Sequence, residues 1–187
     1  ACLDLKKIVI PKSLELLNSD LSTCTSLEEI EVDEENLKYK VIDGMLIVYN
    51  NYLELRPRQK RIGTFLKIPD VVSNIEDNAL WKSDDKSDPT IWIPSSVKWI
   101  SYGNDYIREA TVVYYAGTMN QWQNIQWDSY DHPSSYPSNA AIYCTDGTIN
   151  GNDEDNPFLT PASADEEVIE KVKLYTSDGG KYYYAQL

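Results

Sequence analysis

Short runs in which aliphatic side chains alternate with other residues recur along the chain. Three of them share the order aliphatic, any residue, Ile, Pro, and they occupy residues 8–11, 66–69 and 91–94. Alternation of this kind predicts short β-strands whose aliphatic residues face one side. Proline ends such a strand, because it has no N–H to donate to the next strand. A further aliphatic pair follows each proline after a polar step, so each run predicts a strand and a second short segment.

These runs belong to a repeat. Cys2 and Cys24 open two segments that both follow the pattern C-x-x-L-x-x-I-x-[IV], 22 residues apart. The inward-facing anchors are expected at Ile8, Ile30, Leu66, Ile91, Val113 and Ile142, with separations of 22, 36, 25, 22 and 29 residues. A period of about 20–29 residues with one short strand per turn is typical of a leucine-rich-repeat solenoid. The alternative is a sandwich of unrelated antiparallel strands, which would have no reason to share a proline at one place.

The predicted fold is therefore a β-rich α/β leucine-rich-repeat solenoid, a right-handed coil of short parallel strands, over residues 1–149. The long step from Ile30 to Leu66 predicts an insertion at about residues 37–62. Asp43-Gly44 and Asn50-Asn51 are turn signals, so we expect a β-hairpin between Tyr39 and about Leu55. The basic residues 56–61 are either a solvated loop or a patch for an anionic partner.

The chain changes character after residue 149. Residues 150–157 are polar and acidic, which predicts a solvated linker; they lack the spacing of an EF-hand calcium loop. Residues 168–176 and 181–185 flank a Gly-rich turn and predict a C-terminal β-hairpin. A lone hairpin is marginally stable in water, so within residues 150–187 we expect it to cap the solenoid or to begin a further module.

Composition excludes several classes of function. The 187 residues contain 17 Lys and Arg against 30 Asp and Glu, a net charge of −13. Phosphate repels so acidic a surface, so a nucleic-acid partner is not expected. No apolar stretch is long enough to span a membrane, and no signal peptide is recognisable within this sequence. One histidine and three cysteines predict no metal site and no cofactor, and Cys2 and Cys24 are expected to be small buried packing residues.

Catalytic groups are also hard to place. Thr118 and Gln121 form a capping-box pattern, so a short helix is expected to begin after Thr118 and to turn Trp122 and Ile125 into the core. Asp131 and His132 are adjacent in a long loop, but no nucleophile accompanies them. No pair of carboxylates has a spacing that singles out a glycosidase acid and nucleophile. We therefore predict that the chain is not an enzyme.

Four segments resemble the BspA-type leucine-rich repeats of bacterial surface proteins. Residues 24–30 are similar to the family's "GCTSLTSI", and residues 32–46 to its "V-D-x-x-N-x-x-Y-x-x-I-D-G-V-L". Residues 68–80 resemble "IPDSVTSIGDNAF", with Glu76 in place of the glycine, and residues 113–122 resemble "VYYAGTxxQW". The resemblance implies an exported, extracellular or cell-surface module that adheres to a host protein or glycan. The family has no catalytic residues to carry over, and a monomer is expected. The sequence opens inside a repeat, which suggests further coils before it.

The strand pattern also predicts a binding surface. If the anchors face inward, their neighbours Phe65, Trp92, Val112 and Tyr114, together with Lys67, share the outer face of the sheet. An exposed aromatic patch often marks a contact site, here for a protein segment or a sugar ring. Burial of the patch under the inserted hairpin or the C-terminal tail, or in an oligomer contact, is the alternative. A structural spacer or cell-envelope scaffold is the alternative function.

Overall fold

The computed structural model describes residues 2–17, 21–55, 65–80, 89–128 and 135–159. Within these ranges the elements, in chain order, are β1 Lys7–Ile10, β2 Glu29–Val32, β3 Tyr39–Ile42, β4 Met45–Val48, β5 Tyr52–Leu55, β6 Phe65–Lys67, β7 Asn74–Ile75, β8 Thr90–Ile93, β9 Trp99–Ile100, α1 Asp105–Arg108, β10 Val112–Tyr115, α2 Met119–Gln123, β11 Gln126–Trp127, β12 Ala141–Cys144 and β13 Gly147–Ile149. Single turns of 3-10 helix occupy Leu21–Thr23 and Asp153–Asp155.

The main sheet confirms the predicted repeat. Strands β6, β8, β10 and β12 run parallel, and β13 closes this sheet by pairing antiparallel with β12. The register places Leu66 beside Ile91, Ile91 beside Val113 and Val113 beside Ile142, the last four predicted anchors. All four side chains are buried. The chain is thus a β-solenoid in which equivalent residues of successive coils stack on one another.

A second sheet forms from the segments that follow strands β6, β8 and β10. Strands β7, β9 and β11 pair parallel, with Ile75 beside Ile100 and Ile100 beside Trp127. Pro69 and Pro94 separate these strands from β6 and β8, where their missing N–H ends the first ladder. Residues of both sheets, such as Ile93 of the first and Ile75 of the second, are fully buried in one core. The predicted inward alternation is therefore confirmed for these coils.

The stack is not continuous, which corrects the expectation of a single ladder from Ile8 to Ile142. Strands β1 and β2 pair parallel with each other in a separate two-stranded sheet. In the described residues β2 has no ladder to β6. Ile10 and Ile30 instead pack into a second, smaller core with Leu27. The inserted segment lies between the two cores, because its side chains belong to both.

That insertion has three strands rather than two. β3 and β4 form the predicted antiparallel hairpin around the Asp43-Gly44 turn, and β5 adds a third strand that pairs antiparallel with β4 and parallel with β7. Met45 and Ile47 pack into the main core, whereas Leu46 packs into the smaller core. All three are buried, with at most 3% of their surface exposed. β4 is therefore covered on both faces and joins the coils before it to those after it.

Two details near the ends of the described chain differ from expectation. Cys24 is buried, but Cys2 is exposed, because no described strand covers the start of the first coil; Cys2, Cys24 and Cys144 are all free thiols. The segment expected to be a solvated linker is exposed from residue 150 to residue 155, whereas Asn156 and Phe158 are buried. The basic residues 56–61, Asp131-His132 and the C-terminal hairpin lie outside the described residues. The division at residue 149 stays a prediction.

Candidate functional site

The five residues predicted to bind a ligand do share one face of the main sheet. Lys67, Trp92 and Tyr114 occupy equivalent positions in neighbouring strands. Two residues earlier along the same strands, Phe65 and Val112 both pair with Thr90. The ring centroids of Phe65 and Tyr114 are 6.3 Å apart. Tyr143 extends this row of rings, with its centroid 5.5 Å from that of Tyr114. The strand register is what brings these residues together.

This face is not open, so the expectation of an exposed patch is wrong. Trp92 is 1% exposed and Tyr114 is 4% exposed, and Phe65, Lys67 and Val112 are half-buried. Phe158 lies over the row, with its ring centroid 5.7 Å from that of Trp92. An apolar sheet face in water gains free energy when it is covered. Here residues from beyond the last strand supply the cover, one of the alternatives that the sequence left open.

Asn156 holds that cover in place. Its side-chain amide donates to the carbonyls of Cys144 and Gly147, both at 3.0 Å, and to Thr148 Oγ1 at 3.1 Å. Its Oδ1 accepts the backbone N–H of Phe158 at 2.9 Å. Asn156 is fully buried, so these bonds satisfy a polar group that has no access to water. The hydrogen bonds of the Asn156 side chain thus fix the backbone that carries Phe158.

Two side chains of β12 have raised pKa values: Tyr143 in the aromatic row, and Cys144 on the opposite side of the strand, in the main core. Burial, with a smaller contribution from Asp155, raises the pKa of Tyr143 above its usual value. Burial, reinforced by Asp146, raises the pKa of Cys144 to about 12. A thiol with such a pKa is protonated near neutral pH and is a poor nucleophile. The Cys144 thiol therefore contributes packing to the main core rather than a reactive group.

A cleft of about 370 Å³ lies elsewhere, on the inserted hairpin. Residues 36–40 and 47–51 line it, from the end of β4, the following turn and the segment leading into β3. Tyr49 is 64% exposed and Leu37 is 85% exposed. The Lys38 ammonium lies 5.4 Å from the centroid of the Tyr49 ring, within the range of a cation–π contact. The cleft thus presents an accessible ring beside a positive charge.

The floor of the cleft is fixed by the neighbouring segments. Asn36 is buried, and its amide donates to the carbonyls of Pro11 and Leu14 while its Oδ1 accepts the backbone N–H groups of Lys38 and Tyr39. On the other side, Asn50 and Asn51 adopt positive φ angles of 75° and 66°. Ser73 anchors this turn, because its backbone N–H donates to the Asn51 carbonyl at 2.9 Å. Sequence reasoning recognised the turn but not the cleft, since nothing local shows that Tyr49 stays uncovered.

The aromatic residues around α2 are structural. Thr118 and Gln121 form the predicted capping box at the start of α2. Trp122 and Ile125 are buried, as expected. The Trp122 ring makes edge contacts with Tyr115 and Trp127, at centroid distances of 5.3 and 5.4 Å. This cluster fills the interior of the last coils and leaves no space for a ligand to stack on Trp122.

No group of three or more His, Cys, Asp or Glu side chains is arranged to hold a metal ion in the part of the chain that the structure describes. Over the same residues, no helix is long and apolar enough to cross a membrane.

The fold is similar to that of two crystal structures. One is a leucine-rich repeat protein from Eubacterium ventriosum, with 22% identity over 74% of this chain and a TM-score of 0.45. The other is a leucine rich cell surface protein from Faecalibacterium prausnitzii, with 18% identity over 66% of this chain and a TM-score of 0.43. This chain spans 42% and 51% of their lengths, about half or less. No family model and no curated protein matches the chain. The fold assignment therefore rests on the strand register and burial described above.

Proposed function

We propose that this chain is a non-catalytic binding module of an exported bacterial surface protein, and that it recognises a host protein or glycan. The observation that carries the proposal is the Tyr49 cleft, where an aromatic ring stays exposed on a rigid framework. Aromatic side chains that are held in place, with a polar group nearby, are common anchors of binding sites. The four segments that resemble BspA-type repeats support the surface location.

The covered sheet face is a second binding surface under the same proposal. Phe65, Lys67 and Val112 are half-buried at its margin, so a ligand could contact them beside Phe158. Contact with Trp92 or Tyr114 would require Phe158 to move. Because Phe158 covers it, the sheet face is less accessible to a ligand than the Tyr49 cleft. Its role as a binding site stays a prediction.

One observation favours the alternative function of a structural spacer. The aromatic face, which a ligand-binding solenoid would leave open, is closed by Phe158 and Asn156 of the same chain. Successive coils are also joined by side chains that reach back to the coil before them. The Ser96 hydroxyl, for example, donates to the Val72 carbonyl at 2.6 Å. Coils that are linked in this way suit a scaffold that holds other parts of a surface protein apart.

An array of purified host matrix proteins and glycans distinguishes these functions. We expect wild type to capture at least one component, and Tyr49→Ala to weaken that capture by about tenfold or more, as for an aromatic anchor. Leu16→Ala is the matched control, because Leu16 is 65% exposed and does not line the cleft. Circular dichroism checks that each variant is folded.

The outcomes separate three possibilities. Capture that falls with Tyr49→Ala and not with Leu16→Ala supports binding through the cleft. Capture that is unaffected by Tyr49→Ala but rises with Phe158→Ala would assign binding to the sheet face. Capture of no component by any of the proteins would contradict the binding proposal and favour the spacer.

A further inference from the structure

We infer that the Tyr49 cleft takes a sugar that bears a carboxylate, a ligand class that deepens and rests on the binding function proposed above. The first support is the charge of the lining. The ten lining residues include Lys38 and Lys40 and no Asp or Glu. The whole chain carries a net charge of −13. A site without acidic residues on so acidic a protein creates a local field that attracts a small anion.

The two lysines are also free of the pairing that neutralises other cations of the protein. Five described cations lie within ion-pair distance of a carboxylate: Lys6, Lys7, Lys12, Lys67 and Arg108. In the described residues, neither Lys38 nor Lys40 has such a partner. Their positive charges are therefore available to a ligand without first breaking an internal ion pair.

Their positions suit one small anionic group. Lys40 lies in β3 and Lys38 directly precedes that strand, and both line the cleft. The Lys38 carbonyl accepts the Tyr49 N–H at 2.6 Å, which fixes the backbone of Lys38 beside the ring. The register places Lys40 beside Ile47, in the strand that leads to Tyr49. Because both lysines line the same cleft, their ammonium groups can approach one carboxylate, whereas the intervening Tyr39 is buried in the smaller core.

The rest of the cleft suits a sugar ring. Tyr49 and Leu37 present apolar surface that the C–H face of a pyranose can cover. The side-chain amides of Asn50 and Asn51 have no hydrogen-bond partner in the part of the chain that the structure describes, so they can bond ring hydroxyls. Because Ser73 already holds the Asn50-Asn51 turn, little ordering is needed on binding.

The charge of the protein argues for a short acidic sugar over a long polyanion. A nucleic acid or a long sulfated chain would extend past the cleft onto an acidic surface, where repulsion opposes binding. A single carboxylated sugar unit, or a short run of them, contacts the lysines without that repulsion. A peptide rich in glutamate would satisfy the lysines but would leave the ring platform of Tyr49 less well used.

The test compares two probes that differ only in charge: a tetrasaccharide of galacturonic acid and its fully methyl-esterified form. Titration calorimetry at about 50 mM NaCl, where screening is weak, measures binding of each to the full chain. We expect the acid to bind about 2- to 25-fold more tightly than the ester, since two exposed charge pairs contribute up to about fivefold each. The double variant Lys38→Gln/Lys40→Gln should abolish that difference. Lys98→Gln should not, because Lys98 is exposed, has no carboxylate partner in the described residues and lies outside the cleft.

Several results would overturn the inference. These are equal binding of acid and ester, an unchanged preference in the double variant, or equally tight binding of tetraglutamate. Absence of binding by both sugars would refute the ligand class. If the matrix and glycan array still shows capture that depends on Tyr49, the proposed function survives that refutation. Loss of Tyr49-dependent capture in the array as well would refute the function itself.

Discussion

Asn104 is the residue whose replacement should test the solenoid most directly. It is fully buried, and its Oδ1 accepts the backbone N–H of Leu80 at 2.9 Å. Its amide donates to the carbonyls of Glu76 and Ser101, at 3.0 and 2.9 Å. One side chain therefore joins a coil to the coil before it, at a place where water cannot substitute.

The expected effect of Asn104→Ala follows from which groups lose their partners. The Ser101 carbonyl keeps a hydrogen bond from Ser135 Oγ at 2.7 Å, and the Glu76 carbonyl keeps a longer one from the Ala79 N–H at 3.3 Å. The Leu80 N–H is left without an acceptor. Three hydrogen bonds at about 1 kcal/mol each give a loss of about 3 kcal/mol in the free energy of unfolding. For a chain of this length that corresponds to a fall in Tm of about 6–12 °C.

Urea unfolding followed by tryptophan fluorescence, together with thermal melting, measures the change. Asn124→Ala is the matched control, because Asn124 is exposed and its amide makes one bond, to the Asn120 carbonyl. The control should change stability by less than about 0.5 kcal/mol. Asn104→Asp retains the acceptor but turns a carboxylate oxygen toward two carbonyls, so it should destabilise near neutral pH and recover partly in acid. If Asn104→Ala had no larger effect than the control, the structural role assigned to Asn104 would be refuted.

Two further predictions concern charge and cover. Burial, with smaller contributions from Glu54 and Asp77, raises the pKa of Glu76 above its usual value, so the folded state binds this proton more tightly than the unfolded state. The stability from this group therefore falls as pH rises from 4.5 through the raised pKa. Glu76→Gln should be more stable than wild type at pH 7, by a margin that shrinks as pH falls towards 4.5; a margin independent of pH would contradict this. Phe158→Ala should admit water to Trp92 and shift tryptophan emission to the red, an effect that should vanish in a Trp92→Phe background; unchanged emission would show that Phe158 does not cover this ring.

The strand positions could be predicted from sequence because their signals are local. Alternation of aliphatic residues identifies Ile91 and Ile93 as inward-facing, and Pro94 marks the end of their strand; the structure buries both isoleucines completely. The same holds for α2, whose capping box needs only Thr118 and Gln121. In each case the residues that determine the conformation are neighbours in the chain.

The sequence contains only a weaker indication that the inserted segment separates two cores. Met45-Leu46-Ile47-Val48 is an unbroken apolar run rather than an alternating one, and such runs are typical of strands that are covered on both faces. The turns on either side of this run predict the hairpin. The run itself, because it does not alternate, indicates that the insertion packs against protein on both faces.

The sequence by itself determined the coil, its inward residues and the position of its turns, because each depends on the steric and hydrogen-bonding properties of adjacent residues. Only the tertiary structure decided which surfaces remain accessible. Trp92 lies in β8 and Tyr49 directly follows β4, yet Phe158 buries the first while the second stays exposed. Exposure depends on which distant segment returns to cover a face, and that choice balances apolar burial over the whole chain against the hydrogen bonds that hold the covering segment, such as those of Asn156.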